Sequence, residues 1–234
     1  PFRLEIVEPM VVQRLTLGPN PSGVEFQVET HASGPMTLEE PHVQYRHGVV
    51  LNHLLRYSGP LRATGWLSVA GERLEIDRWY GARDHSWGIR STMGPHLPIR
   101  GTEEKRAADP RAIRIWVPFE CGDECGFFHT HEDAQGNALD FQGTIYRGDE
   151  AIELAGVRHR FEYGEGRRLA GGTYTLIDVA GNERDYRFDV VCPPSYPQGF
   201  GYTRGWSDGG NPGVYRGDDI VEWNRFRVDD PLVR

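Results

Sequence analysis

The sequence has little positive charge and almost no lysine. Arginine supplies 25 of the 26 basic residues, Lys105 is the one lysine, and 34 acidic residues give a formal net charge of −8. Because proteins hold phosphate backbones mainly through surplus positive charge, this balance argues against nucleic-acid binding. Long apolar runs are also missing, since no stretch approaches the roughly 18 to 20 residues that a membrane helix needs. No signal-peptide pattern opens the chain. We therefore predict no transmembrane segment.

Cysteine is scarce as well. Cys121, Cys125 and Cys192 are too few for a disulfide scaffold, and an odd number leaves at least one thiol unpaired, which suits a reducing, cytoplasmic compartment. Together with His129 and His131, Cys121 and Cys125 form a Cys-x3-Cys-x3-His-x-His sequence that resembles a zinc-binding motif. However, residues four apart on a strand lie about 13 Å from each other, whereas zinc ligands lie within roughly 2.3 Å of one ion. We therefore predict neither a metal site nor a cofactor.

Short alternating strands dominate what is present. The chain has 29 glycines and 16 prolines, which favour turns, and its 6 Trp, 10 Tyr and 10 Phe can build a core. Runs of alternating apolar and polar residues, bounded by turn residues, are typical of half-buried strands. These runs are 4–7, 24–28, 65–69, 74–77, 113–119, 125–131, 141–146, 174–179, 186–191 and 220–226. About a dozen strands without a convincing long helix indicate an all-β barrel or sandwich.

One polar segment divides the chain. Residues 101–110 are charged and almost free of large apolar side chains. We therefore place a connecting loop at 101–112, between a first β unit at 1–100 and a second at 113–234. The chain begins at Pro1 and not at a methionine, so we expect further residues to precede it.

Two histidines are candidates for a pocket. A strand puts residues i and i+2 on one face, so His129 and His131 point the same way. A three-residue turn between Cys121 and Cys125 would place them on the face of four apolar side chains: Phe127, Ile115, Val117 and Phe119. They are then either satisfied interior histidines or pocket-lining residues that touch a ligand.

The densest group of reactive side chains is an Arg-Asp-His-Ser-Trp-Gly sequence. On a strand, Arg83, His85 and Trp87 lie on one face, and Asp84 and Ser86 on the other. The functional interpretation has His85 and Trp87 lining a cavity. The structural interpretation is a corner in which Asp84 caps backbone amides and Trp87 fills a core. Because neighbours on a strand alternate faces, Asp84, His85 and Ser86 cannot form a serine-hydrolase triad.

This stretch resembles a known signature. The residues from Tyr80 to Gly88, preceded by Gly-Trp-Leu-Ser-Val-Ala-Gly-Glu at 65–72, are similar to the signature of the lipocalin-like AttH and carotenoid 1,2-hydratase superfamily. The resemblance implies two lipocalin-like, calycin-type antiparallel β units side by side, with the Asp-His-x-Trp-Gly stretch at their junction. The first unit would then lack its first strands. Either residues ahead of Pro1 or a second copy in a homodimer would complete it.

The resemblance also implies a chemistry. In the hydratases an acidic residue protonates an alkene, while a His and a Trp two residues apart line the site. His85 and Trp87 match that pair, and with Asp84 they are the predicted catalytic residues. The Tyr-x-Asp sequence of the hydratases is not found after Trp87, so the acid would be Asp84, Glu132 or Asp140. The predicted substrate-binding residues, some of which offer π faces to a carbocation, are Tyr57, Tyr80, Arg83, Trp116, His129 and His131.

Three functions are compatible with these residues. The first is a cofactor-independent lyase or cyclase acting on a hydrophobic, isoprenoid- or polyketide-like small molecule. Its acid would be a carboxyl group whose pKa is raised by an apolar cavity. The alternative is a non-catalytic, lipocalin-like carrier of a hydrophobic ligand, in which Arg83 and His85 are structural. A weaker alternative is a metal-dependent β-barrel enzyme that uses His129 and His131.

Overall fold

The chain folds into two antiparallel β-sheets. The computed structural model describes residues 2–46, 48–90, 110–192, 217–218 and 223. These residues form thirteen strands and one short 3-10 turn, Glu165–Arg167, with no α-helix among them. The all-β class is confirmed, and the two sheets agree with two β units. Within the described ranges, no helix has the length and apolar character needed to cross a membrane.

The first sheet is built around one long hairpin. Its seven strands are β1 (Phe2–Glu8), β2 (Val12–Leu17), β3 (Val24–Ala32), β4 (Thr37–Leu38), β5 (His42–Arg46), β6 (Val49–Val69) and β7 (Glu72–Ile89). One edge of β6 pairs successively with β5, β4 and β3, and its other edge pairs with β7. β2 and β1 extend the sheet beyond β3.

The two faces of this sheet differ because successive residues of a strand point to opposite sides. Even-numbered residues of β6 face the second sheet, where Arg62 makes a two-pronged ion pair with Glu120 at 2.7 and 3.0 Å. Odd-numbered residues, among them Leu61 and Leu67, lie on the opposite face and continue across the neighbouring strands. The sheet therefore has one face toward its partner sheet and one face away from it.

The second sheet is a meander of six strands, each joined to the next by a short turn. The strands are β8 (Ile113–Cys121), β9 (Glu124–Glu132), β10 (Ala138–Arg147), β11 (Glu150–Tyr163), β12 (Leu169–Asp178) and β13 (Glu183–Asp189). The sheet curls into a half-barrel, and its inner face carries a core of five buried apolar residues. These are Ile115, Phe128, Ile145, Leu154 and Leu176. Burying side chains of this size stabilises the fold by about 1.5 to 3 kcal/mol each.

The turn between β8 and β9 is one residue shorter than expected. The prediction has three turn residues, with Cys121 opposite Cys125. Gly122 and Asp123 alone form the turn, and Cys121 pairs with Glu124. Gly122 has a φ of 62°, the left-handed conformation that two-residue hairpin loops use and that glycine adopts without strain.

This difference changes the surroundings of the two histidines. When the pairing register shifts by one residue, each side chain of one strand shares its face with the other set of alternating residues on the paired strand. His129 pairs with Trp116, and His131 with Arg114. The expected apolar neighbours, Ile115, Val117 and Phe119, lie instead on the core face. The prediction that the histidines share a face with these three residues is therefore wrong, and the pair faces the first sheet.

The strands are more numerous and longer than the alternating runs alone indicate. β2, β4, β5 and β11 have no counterpart among the predicted runs, and β6 and β7 are 21 and 18 residues long. Most of the predicted strand 220–226 and most of the loop 101–112 lie outside the described residues. The division into units 1–100 and 113–234 therefore stays a prediction.

Candidate active site

A cavity of about 300 Å³ lies between β4 to β6 of the first sheet and β8 to β10 of the second. Most of the side chains that line it are charged or polar. The lining residues are Glu39, Glu40, Pro41, His42, Leu54, Arg56, Arg111, His129, His131, Asp140, Phe141 and Gln142. Two of the predicted binding residues, His129 and His131, are among them.

A buried carboxylate joins the two sheets at this cavity. Glu39 follows β4, and its side chain is only 5% exposed. Its Oε1 accepts hydrogen bonds from the Ser58 hydroxyl at 2.5 Å and from the Trp116 indole N–H at 3.4 Å. Arg56 donates to Oε2 at 3.5 Å. A buried carboxylate needs such charged and hydrogen-bonded partners, and these three come from both sheets.

Arg56 also approaches one of the predicted catalytic residues. Its Nε lies 3.1 Å from Asp84 Oδ1, close enough for an ion pair although the geometry is not that of a hydrogen bond. Asp84 belongs to β7, and its side chain is 49% exposed. Asp84 is therefore an ion-pair partner of Arg56 at the edge of the junction and does not line the cavity.

His129 is held as a neutral imidazole. Arg114 Nε donates a hydrogen bond to His129 Nε2 at 3.0 Å, so the ring proton lies on Nδ1, which is 4.0 Å from Glu39 Oε2. Burial lowers the pKa of His129 to about 4, and the charge of Arg114 acts in the same direction. His129 is therefore uncharged at neutral pH, and its Nδ1 lies near the buried carboxylate but beyond hydrogen-bond distance.

This neutral histidine predicts a loss of stability in mild acid. An unfolded histidine takes up a proton near pH 6.5, whereas His129 does so in the folded protein only near pH 4. The unfolded state therefore binds more protons in this window, and stability that is present above pH 6.5 is lost toward pH 4. We expect His129 to account for about 2 kcal/mol of that loss.

Urea unfolding at pH 7.0, 5.5 and 4.5 measures this effect. His129→Gln should lose less stability between pH 7.0 and 4.5 than the parent protein. His53→Gln, which changes an exposed histidine, should follow the parent curve. Equal losses in the parent protein and in His129→Gln would contradict the assignment.

His131 and Asp140 form a dyad on the cavity wall. Asp140 Oδ2 lies 2.8 Å from His131 Nδ1, and its Oδ1 accepts the backbone N–H of His131 at 2.8 Å. Burial acts to raise the pKa of Asp140, but the hydrogen bonds from His131 outweigh it and lower that pKa. Asp140 is therefore ionised at neutral pH. No described residue donates to or accepts from His131 Nε2, which leaves that atom available to accept a proton.

A third histidine, His42 of β5, contributes to the same cavity. Burial lowers the pKa of His42, and the charge of Arg111 adds to the effect. Three histidines and several carboxylates therefore surround one space. Nevertheless, among the described residues no group of three or more His, Cys, Asp or Glu side chains has an arrangement that could hold a metal ion. Arg114 already occupies Nε2 of His129, and Asp140 already occupies Nδ1 of His131.

Four predicted site residues come together on the opposite face of the first sheet. The Tyr57 ring stacks on the His85 ring at 5.0 Å between centroids, and the Trp87 ring lies 5.6 Å from His85. The Arg83 guanidinium lies 4.8 Å from the centre of the Tyr57 ring. These four side chains form one cluster, and none of them lines the cavity.

The remaining predicted residues have different surroundings. Tyr80 is mostly exposed, with the Arg62 guanidinium 3.5 Å from its ring centre. Glu132 is buried and pairs with His159 at 2.9 Å, away from the cavity. Trp116 contacts Glu39, as described. Of the three acids considered, Asp84, Glu132 and Asp140, only Asp140 lines the cavity.

The sequence alone did not single out Glu39, Arg56 or His42. Glu39 has an identical neighbour, Glu40, so no local pattern separates the buried carboxylate from the exposed one. The polar residues Arg56 and Ser58 alternate with apolar ones along β6, which is the signal that could have indicated a buried polar face.

A second depression, of about 400 Å³, lies over β2, β3 and β6. Its charged groups neutralise each other, since Arg14 donates to Glu29 at 2.9 Å. It contains no histidine or cysteine among the residues that line it, which are Arg14, Gln27, Glu29, Thr64, Gly65 and Trp66. The cavity between the sheets is therefore the better candidate for proton-transfer chemistry.

The fold and the cavity define an all-β protein with a polar, histidine-rich site between two sheets. The chain belongs to the family of unknown function DUF8625, whose model matches residues 1–231. A comparison with curated proteins finds no match. Among solved structures, the chain is similar to a crystal structure assigned as an AttH protein from Nitrosomonas europaea, with 10% identity and a TM-score of 0.43. The match covers 77% of this chain and 65% of the length of that one.

Proposed function

We propose that the protein is a cofactor-independent enzyme of the lyase type that transfers a proton on a small polar molecule bound in the cavity. The observation that carries this proposal is the His131–Asp140 dyad. An ionised carboxylate orients the imidazole through Nδ1 and leaves Nε2 as a proton acceptor on the wall of the cavity. Such a positioned base contributes typically 10² to 10⁴-fold to a reaction rate.

The proposed step begins with transfer of a substrate proton to His131 Nε2. The imidazolium that forms is stabilised by the Asp140 carboxylate at 2.8 Å. The same Nε2–H can then return its proton to a leaving oxygen or to another carbon of the substrate. Elimination of water, its reverse, and isomerisation all follow from this one base that becomes an acid.

The charges around the cavity favour a substrate with a carbonyl or carboxylate group. An imidazole can remove a proton from carbon only where a neighbouring group accepts the electron pair, and that group becomes more negative as the proton leaves. The Arg56 and Arg111 side chains line the cavity and can stabilise such charge. A volume near 300 Å³ lies at the lower end of the range for ligand pockets, which suits a small molecule.

This chemistry differs from protonation of an isolated alkene. That reaction requires a carboxyl group kept protonated by apolar surroundings. Asp140 has a lowered pKa instead, so it supports a base mechanism in this cavity. The assignment of Asp84, His85 and Trp87 as catalytic residues that act on a hydrophobic substrate stays a prediction.

Exchange of substrate hydrogen for deuterium tests the proposal without knowledge of the product. A panel of small carbonyl and hydroxy-acid compounds is incubated with the protein in D₂O and followed by NMR. For a compound that exchanges, His131→Gln should lower the rate by about 10² to 10⁴-fold. Asp140→Asn should lower it by a similar factor, because the amide NH₂ would donate to Nδ1 and place the ring proton on Nε2. Unchanged rates in a correctly folded His131→Gln protein would contradict the proposal.

His85→Ala is the matched control, because it changes a histidine of β7 on the face of the first sheet that points away from the cavity. We expect it to leave the exchange rate unchanged. Loss of exchange in folded His85→Ala, with normal rates in His131→Gln, would transfer the site to the Tyr57, Arg83, His85 and Trp87 cluster.

The carrier alternative is supported by a different observation. The face of the first sheet that points away from the second sheet is apolar over five strands. A hydrophobic ligand could bind there without any contribution from the cavity. Binding of such a ligand and proton transfer in the cavity are therefore separable functions.

A further inference from the structure

The face of the first sheet that points away from the second sheet is a continuous apolar surface. Strand pairing aligns its side chains in rows that cross β1, β2, β3, β6 and β7. The first row is Phe2, Leu17, Phe26, Leu67 and Leu74, and the second is Leu4, Leu15, Val28, Gly65 and Ile76. We call this surface, together with Leu61 and Trp79, the apolar face.

Much of this face is accessible. Leu61 and Ile76 of this face are buried, but Phe2 is 57% exposed, Leu4 49% and Trp79 46%, although side chains in such rows normally pack against another layer. The second sheet cannot cover them, because it packs on the opposite face through Glu39 and Arg62. An exposed apolar surface of this extent is typical of a binding site.

One cation lies on the same side of the sheet. Arg83 pairs with Gly59 in the β6–β7 register, next to Tyr57 and His85, and its guanidinium stacks on the Tyr57 ring. It is half-buried, and no carboxylate of a described residue pairs with it.

Two other arginines of the β6–β7 hairpin also stack on aromatic rings, but each of them has a carboxylate partner. Arg62 stacks on Tyr80 and also pairs with Glu120, and Arg73 stacks on Trp66 and also pairs with Glu75 at 2.7 Å. Both lie on the opposite face. Arg83 has the aromatic partner, but among the described residues it lacks the carboxylate that pairs with each of the other two arginines.

We propose that the apolar face binds a long-chain carboxylate, whose head group pairs with Arg83 and whose hydrocarbon chain extends along β7 to the exposed Trp79. A guanidinium offers two parallel N–H groups that match a carboxylate, and its stacking on Tyr57 keeps it oriented. The hydrocarbon chain covers the Trp79 side chain, which otherwise contacts water. This site lies on the opposite side of the sheet from the cavity and is independent of the proposed proton transfer.

Titration calorimetry with three probes tests the proposal. Dodecanoate carries both the chain and the charge, dodecanol carries the chain alone, and acetate carries the charge alone. We expect dodecanoate to bind most tightly and acetate not to bind measurably. Shortening the chain to octanoate should weaken binding by about fourfold for each methylene removed.

Two arginine variants separate the head-group contact from general charge effects. Arg83→Gln should weaken dodecanoate binding by about 10 to 100-fold and leave dodecanol binding unchanged. Arg73→Gln removes the same charge from the same hairpin on the opposite face and should have no effect on either probe. Equal affinity for dodecanoate and dodecanol, or equal effects of the two variants, would overturn the proposal.

The oligomeric state is measured in the same samples by analytical ultracentrifugation. We expect a species whose mass does not change when dodecanoate is added. A dimer that binds no dodecanoate would overturn the proposal and assign the apolar face to a second copy of the chain. A monomer that binds none of the probes would overturn it as well.

Discussion

Replacing Glu39 by alanine is expected to lower the free energy of unfolding by about 3 to 5 kcal/mol. The carboxylate is buried and accepts hydrogen bonds from Ser58 and Trp116, while Arg56 balances its charge. Alanine would leave the fully buried Ser58 hydroxyl without its acceptor and the Arg56 guanidinium with Asp84 alone. A buried charge that loses its partner is more costly than the pair is stabilising, which explains the size of the expected effect.

Two further variants identify the source of that loss. Glu39→Gln keeps an oxygen for Ser58 and Trp116 but removes the charge opposite Arg56, so we expect about half of the loss. Glu40→Ala changes the neighbouring exposed glutamate and should alter stability by no more than about 0.5 kcal/mol. Urea unfolding followed by tryptophan fluorescence gives all three values. Similar losses in Glu39→Ala and Glu40→Ala would refute a junction role for Glu39.

The local pattern of the chain predicts much of this fold. Period-two alternation locates strands at 24–28 and 141–146, and the same alternation assigns Arg83, His85 and Trp87 to one face and Asp84 to the other. The structure has these residues on opposite sides of β7. Alternation is a property of single strands, so it can be predicted without knowledge of the neighbouring strand.

Pairing between strands is harder to predict. The length of the turn at Gly122, two or three residues, decides whether His129 pairs with Trp116 or with Val117. The amino-acid sequence of the turn is compatible with both lengths. The consequence is large, because the face toward Trp116 contains the cavity. Register depends on turn geometry and on which faces become buried, and neither is a local property of the sequence.

The central carboxylate could not be predicted for a related reason. Glu39 and Glu40 are chemically identical, and only tertiary packing buries the first of them. Its partners Ser58 and Trp116 are distant in sequence, 19 and 77 residues away. By contrast, His131 and Asp140 lie nine residues apart on adjacent strands, and both were already among the candidates named from the sequence.

Replacing Gly88 by alanine is expected to be the most destabilising small substitution in the hairpin, with a loss above about 4 kcal/mol or failure to fold. Gly88 ends the Arg-Asp-His-Ser-Trp-Gly sequence and has a φ of 126°, a conformation that residues with a Cβ rarely adopt. A Cβ at this position would overlap the carbonyl oxygen of His53 on β6. Because that atom is backbone, the overlap can be relieved only by separating β6 from β7.

Gly71→Ala is the control, because Gly71 also has a positive φ, of 89°, but no atom lies within 4 Å of its added Cβ. We expect it to lose only about 1 to 3 kcal/mol, the cost of the backbone conformation alone. Thermal unfolding measured by circular dichroism compares the two variants. If Gly88→Ala were as stable as Gly71→Ala, close approach of the two strands would not be the reason for this glycine.

The expected result also bears on what the resemblance of this sequence to hydratases means. If Gly88 is required by the approach of β6, then part of the signature reflects how two long strands pack together. The other part, His85 and Trp87, lies on the face of the first sheet that carries Arg83, away from the cavity that His131 lines. The His131→Gln and His85→Ala variants then decide whether the cavity or the Arg83 face of the first sheet carries the chemistry, because neither substitution alters the backbone geometry that the glycine maintains.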